Sequence, residues 1–132
     1  MESALNRLAL MTPAPYFGVD SMRNVLIIGA GGAIGAVLRY LVVLSTQVFK
    51  DKVPVPLGTL LVNVIGCLLI GVLATLAENG QVLTAEHRNF LIVGILGAFT
   101  TFSTFGYESV VLLKNGAQFN FFANLALQLI LG

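Results

Sequence analysis

From Leu57 to Ala77 the chain carries no charged residue, and the earlier stretch Val25 to Leu44 carries only Arg39. At ~1.5 Å per residue, each stretch makes about 30 Å of helix, one hydrocarbon thickness of a bilayer. Backbone placed in lipid finds no water to bond, so a spanning segment must satisfy its own N–H and C=O groups as helix or closed barrel. Composition agrees with a membrane protein. Of 132 residues, 57% are hydrophobic and 10% charged, whereas a soluble domain carries about 25% charged residues. The net charge of +1 implies no nucleic acid. Cys67 is the only cysteine, so no intrachain disulfide forms, and it reads as a small buried apolar residue.

The pattern predicts an all-α membrane protein of four transmembrane helices over about 25–44, 57–77, 88–113 and 119–132, multi-pass in the plasma membrane and in contact with lipid. Residues 1–21, broken by Pro13, Pro15 and Gly18, read as a flexible N-terminal tail. The first connector, with Lys50, Asp51, Lys52, Pro54 and Pro56, is polar enough for the interface. Asn79-Gly80 marks a turn, and Thr84 with His87 resembles a helix start. The last span makes only ~21 Å of helix. Either the bilayer is thin there or the given sequence stops short of the helix end.

Span 3 contains Gly97-Ala98-Phe99-Thr100-Thr101-Phe102-Ser103-Thr104-Phe105. Hydroxyls at membrane depth need partners, because hydrocarbon offers none. The segment exceeds one straight crossing, so a break near Gly97–Thr101 is expected. Beyond it, Thr101, Thr104 and Glu108 share one helical stripe, and Phe102, Phe105 and Ser109 share the next. Thr59 and Asn63 share a face of span 2, and Asn124 and Gln128 a face of span 4. An Asn inside a span faces protein or a polar path. Gly31 and Gly35 in span 1 form a GxxxG pair that lets another helix approach, and Gly66 and Gly71 offer further close-packing positions in span 2.

Span 1 also imitates a strand entering a dinucleotide-binding loop, but the spacing fails at Ile34 and no second strand with a terminal acid follows. The connectors are short, so positive charge sets orientation. Arg7, Arg23 and Arg88 fall on one side, and Arg39, Lys50, Lys52 and Lys114 on the other. So even a balance lets the chain insert both ways and pair with itself as an antiparallel, dual-topology homodimer.

Three segments carry a family resemblance: Gly31-Gly32-Ala33-Ile34-Gly35-Ala36-Val37-Leu38-Arg39-Tyr40, Gly58-Thr59-Leu60-Leu61-Val62-Asn63-Val64-Ile65-Gly66, and the Gly97–Phe105 string. Together, over 22–132, they resemble the fluoride channels called Fluc or CrcB. The resemblance implies a passive fluoride-selective channel, not an enzyme, built as an antiparallel homodimer. It implies a structural Na⁺ at the dimer centre, held by the backbone carbonyls of Gly97 and Thr100; the residues alone read as a glycine kink. It implies fluoride-pore positions at Asn63, Phe102, Ser103, Thr104 and Phe105, with Glu108 beside the path as a hydrogen-bond partner and Arg39 at a vestibule. A fluoride pore replaces water with Asn and Ser/Thr donors and with ring edges. Without the family, the two Phe read as ordinary packing. Where the family commonly has Tyr and Ser on span 4, this chain has Asn124 and Gln128, both still able to donate. The alternative is a small proton-coupled exporter of the dual-topology, four-helix type. Such a transporter needs a carboxylate in its first span, and Val25–Leu44 has none.

Overall fold

The computed structural model describes residues 22–78 and 83–132. The tail expected over 1–21 and the turn expected at Asn79-Gly80 lie outside the described residues. Helix α1 runs Met22–Thr46 and continues into a 3₁₀ turn, Gln47–Phe49. Helix α2 is Leu57–Glu78. The third rod begins as the short α3, Ala85–Arg88, widens into a π-helical segment, Asn89–Leu96, and ends as α4, Gly97–Phe99. After a break come α5, Phe102–Lys114, and α6, Gln118–Leu131. Among the described residues, three stretches are long and apolar enough to cross a membrane: Met22–Phe49 with 28 residues, Leu57–Leu76 with 20 and Ala85–Lys114 with 30. Gln118–Leu131 is apolar but shorter, so of the four predicted spans three meet the length of a full crossing.

Helix ends follow from local chemistry. Thr84 caps α3, its hydroxyl accepting from the His87 N–H at 3.3 Å, as the Thr/His spacing predicts. Helix α5 stops at Gly116, whose φ of +73° is the left-handed conformation that favours glycine. There the Ala117 N–H bonds to Leu112 O at 3.0 Å and the Gly116 N–H to Leu113 O at 3.1 Å. This paired closure satisfies two carbonyls at the helix end. The π-helical turn is not legible in the sequence. Phe90 to Val93 is apolar on every side, so its periodicity cannot separate a 3.6-residue turn from a wider one.

Helix α1 packs chiefly against the π-helical segment, α5 packs against α6, and α2 contacts both groups. Val62, Leu60, Leu96, Phe99 and Phe105 form the buried apolar core. Large apolar side chains such as Val37, Leu41, Leu68 and Ile130 are exposed on the protomer, which suits contact with lipid or another copy. The crossing of α1 and 89–96 is backbone on backbone. A methyl group on Gly31 would meet Gly94 Cα at 3.1 Å, and one on Gly94 would meet Ile28 O at 2.9 Å. At Gly35 the added carbon would overlap the Ile95 carbonyl. The GxxxG pair thus performs the close packing that its spacing predicts. Gly66 likewise abuts the Thr100 side chain, whereas Gly71 has open space around it. Gly35→Ala is expected to lower stability by about 1–3 kcal/mol through overpacking, and Gly71→Ala to be neutral or stabilising; thermal unfolding in detergent checks both.

Candidate functional site

The break falls on two residues. Thr100 (φ −79°, ψ 158°) and Thr101 (φ −155°, ψ 114°) are extended, while Gly97 to Phe99 are still helical. An unbroken helix would bond the Thr101 N–H to Gly97 O and the Thr104 N–H to Thr100 O. Neither bond forms. The Thr101 N–H donates instead to Asn63 Oδ1 at 2.8 Å. The Thr104 N–H donates to Thr101 Oγ1 at 3.2 Å, which caps α5. That hydroxyl in turn donates to Thr104 Oγ1 at 2.9 Å and lies 3.3 Å from Ser103 Oγ.

Asn63 closes the gap from α2. Its Nδ2 donates to Thr101 O at 3.1 Å and to Gln128 Oε1 at 2.9 Å. The carboxamide therefore pairs with both backbone groups of Thr101, as a neighbouring strand would, and ties them to α6. On the first half of the rod, the Thr100 N–H and hydroxyl both donate to Leu96 O, at 3.1 and 3.0 Å. Arg39 Nη1 reaches Thr100 O at 3.4 Å.

Two cavities open along α2, one of them at the break. The smaller, about 290 Å³, is lined by Asn63, Cys67, Thr100, Thr101, Phe102, Phe105 and Gln128, with Leu129 and Gly132. Phe102 and Phe105 stand edge to face, centroids 5.3 Å apart at 68°. Phe105 is 6% exposed and Phe102 78% exposed, so one ring is fixed in the protomer and the other stands outside it. The larger cavity, about 610 Å³, includes Thr59, Glu108, Asn120 and the Lys50–Pro56 loop. There Thr59 Oγ1 donates to Glu108 Oε1 at 2.9 Å, and Glu108 Oε2 is buried without a partner. Between α5 and α6, Asn124 Nδ2 donates to Ser109 Oγ at 3.0 Å, and Ser109 Oγ donates to Phe105 O at 2.8 Å.

The predicted site residues therefore divide. Asn63, Phe102, Phe105 and Gln128 meet at one cavity, with Ser103 and Thr104 at the cap beside it. Glu108 borders the second cavity and Asn124 the α5–α6 seam. Thr100 lies in the break, and Gly97 begins the helical turn before it. Arg39 lines neither cavity and is turned to the Thr100 carbonyl. Thr101 and Ser109 carry more of the network than the sequence indicates, because their value lies in partners on other helices. Cys67 is exposed and borders the cavity, contrary to the expectation of a buried apolar residue; its helix face is not covered by the protomer.

Apolar helices around a broken span, with hydroxyls and carboxamides gathered at the break, define a multi-pass membrane protein with a polar cluster inside its spans. Residues 26–132 match the model of the CrcB-like protein family, described as Camphor Resistance (CrcB). The fluoride-specific ion channel FluC of Shewanella loihica is 47% identical over 111 residues, covering 83% of this chain and 87% of the relative. FluC of Shewanella woodyi is 45% identical over the same coverage. FluC of Dehalococcoides mccartyi is 42% identical over 112 residues, 84% of this chain and 85% of the relative. The chain belongs to the CrcB family.

Thr101→Val removes the cap and is expected to cost about 1 kcal/mol of stability, whereas Thr101→Ser keeps the hydroxyl and most of that energy. Thermal unfolding of the detergent-solubilised variants reads the difference.

Proposed function

We propose that this chain forms a passive, fluoride-selective channel in the plasma membrane and is not an enzyme. Two copies of opposite orientation build it. Family membership and relatives named fluoride-specific ion channels support the reading. The observation that carries it for these residues is the cavity where Asn63 and Gln128 meet the Phe102–Phe105 ring pair. Fluoride is small and strongly hydrated, so its path must supply compact donors and weakly positive ring edges in place of water. A membrane potential negative inside drives an anion outward by ~2.3 kcal/mol per charge per 100 mV. Export then needs no cofactor or pump, and it confers fluoride resistance.

Two features support the dimer. The loop charges favour neither orientation, and Phe102 stands exposed at the edge of its own cavity. A second copy supplies the missing wall. A structural Na⁺ fits at the junction through the carbonyls of Gly97 and Thr100 from each copy. Both carbonyls have lost their usual helical donors to Asn63 and Thr101, and a hard cation takes freed carbonyl oxygens. Bound there, Na⁺ would offset the partial negative charge of the two helix ends. Arg39 already shares the Thr100 oxygen, so guanidinium and ion neutralise the same group.

Purified protein in liposomes is expected to release fluoride, and not chloride, in response to voltage, as read with a fluoride electrode. Phe102→Ile is expected to lower that efflux at least about tenfold while the protein still elutes as a dimer; wild-type efflux from this variant would count against the ring pair. Flux that follows a pH gradient at fixed voltage would favour the proton-coupled exporter, for which Glu108 is the acid within the spans. Replacing Na⁺ by a large organic cation is expected to lower the dimer's thermal stability; an unchanged transition would remove the ion from the junction.

A further inference from the structure

Thr100 is held by contacts before, beside and after it. Its N–H and its hydroxyl both donate to Leu96 O, at 3.1 and 3.0 Å. With the hydroxyl fixed, the methyl group takes another position on Cβ. There it fills the space left by the missing side chain of Gly66, and a carbon added to Gly66 would overlap it. The next residue, Thr101, is gripped by Asn63 through both of its backbone groups. Asn63 and Gly66 lie three residues apart on α2, so one face of that helix holds both residues of the break. The direction of Thr100 O is therefore set by the fold, and the oxygen cannot swing to a new partner.

Arg39 is the cation that meets this oxygen, its Nη1 donating at 3.4 Å. Helix α1 has no room to carry it away or closer. Arg39 follows Gly35 by one helical turn, and at Gly35 the helix lies directly against the Ile95 carbonyl. Among the described residues the ion pair is Arg23 with Glu86, so no carboxylate neutralises Arg39. The last carbonyls of a helix carry partial negative charge and favour a cation. At the end of the third rod the guanidinium supplies that charge from within the chain. Two cations at one fixed oxygen repel, and the repulsion is far larger inside a protein than in water. An ion at the carbonyls of Gly97 and Thr100 must bind against the guanidinium, or the guanidinium must give up the Thr100 oxygen. Either route makes binding weaker than the carbonyls alone would give.

We propose that Arg39 sets the Na⁺ affinity of the junction by opposing the ion: its guanidinium stands in for the ion on Thr100 O and so weakens its binding. Arg39 acts through the Thr100 carbonyl, which makes it a positioning residue. The inference rests on the sodium-junction reading above and deepens it.

The test is thermal unfolding of the purified protein in detergent over a series of NaCl concentrations, with N-methylglucamine chloride holding ionic strength constant. The readout is the Na⁺ concentration that gives half of the stabilisation. Arg39→Gln keeps a donor for Thr100 O without the charge, and is expected to reach that midpoint at about tenfold less Na⁺ than wild type. Arg39→Lys keeps the charge and is expected to stay within about threefold of wild type. A purely structural Arg39 would lower the unfolding temperature at every Na⁺ concentration and leave the midpoint in place. An Arg39→Gln midpoint at or above the wild-type value therefore overturns the proposal, and so does an Arg39→Lys midpoint that follows Arg39→Gln. If Arg39→Gln does not fold, the wild-type protein decides, because the coupling is reciprocal. The ¹⁵Nε signal of Arg39, identified by substituting Arg7, Arg23 and Arg88 in turn, is expected to move as Na⁺ replaces N-methylglucamine; a signal that stays overturns the proposal. Wild-type unfolding that ignores Na⁺ removes the ion from the junction and this role of Arg39 with it. A normal wild-type response with an unmoved Arg39→Gln midpoint leaves the ion in place and removes Arg39 alone.

Discussion

The structure depends on one carboxamide pairing with one backbone residue. Breaking a helix at membrane depth strips hydrogen bonds from groups that water cannot reach. Asn63 answers the Thr101 N–H and C=O together. Without that pairing, two backbone groups would lie bare beside hydrocarbon, at a cost of about 1–3 kcal/mol each. The extended conformation at Thr100 and Thr101 is therefore set by α2 as much as by its own residues. The start of α5, the placing of both rings and the release of the Gly97 and Thr100 carbonyls all follow from it. Helix α2, which touches both packed groups, carries Asn63 where they meet.

The same helix organises the second cavity. Thr59 lies one turn before Asn63, and its hydroxyl meets Glu108. Two polar stations thus succeed one another along α2, about 6 Å apart. One ends in a carboxylate near the Lys50–Pro56 loop and the other in carboxamides beside the rings. Two charged side chains deep in the spans stand away from the ring cavity. Arg39 is held at the Thr100 carbonyl and Glu108 at Thr59. The ring cavity itself is lined by neutral side chains.

Much of this was legible in the sequence. The uncharged stretches fix the helices to within a few residues, because hydrocarbon thickness sets their length. The hydroxyl cluster marks the break, and Gly31 with Gly35 mark the tight crossing. Residues on one stripe do meet: Thr101 with Thr104, Phe102 with Phe105. What remained hidden was pairwise and directional. Residue types name Asn63 as a donor, but only the approach of α2 to the break shows that its donors are spent on Thr101 and Gln128. That Arg39 reaches the end of the third rod is likewise seen only in the structure. The π-helical turn has no sequence signal in an all-apolar run.

The crossing of α1 with residues 89–96 has a consequence for how such a sequence can drift. Where Gly31, Gly35 and Gly94 bring two main chains together, every substitution adds at least one carbon, and backbone cannot move aside as a side chain can. The glycine seam is therefore tightly restricted, although it touches neither cavity.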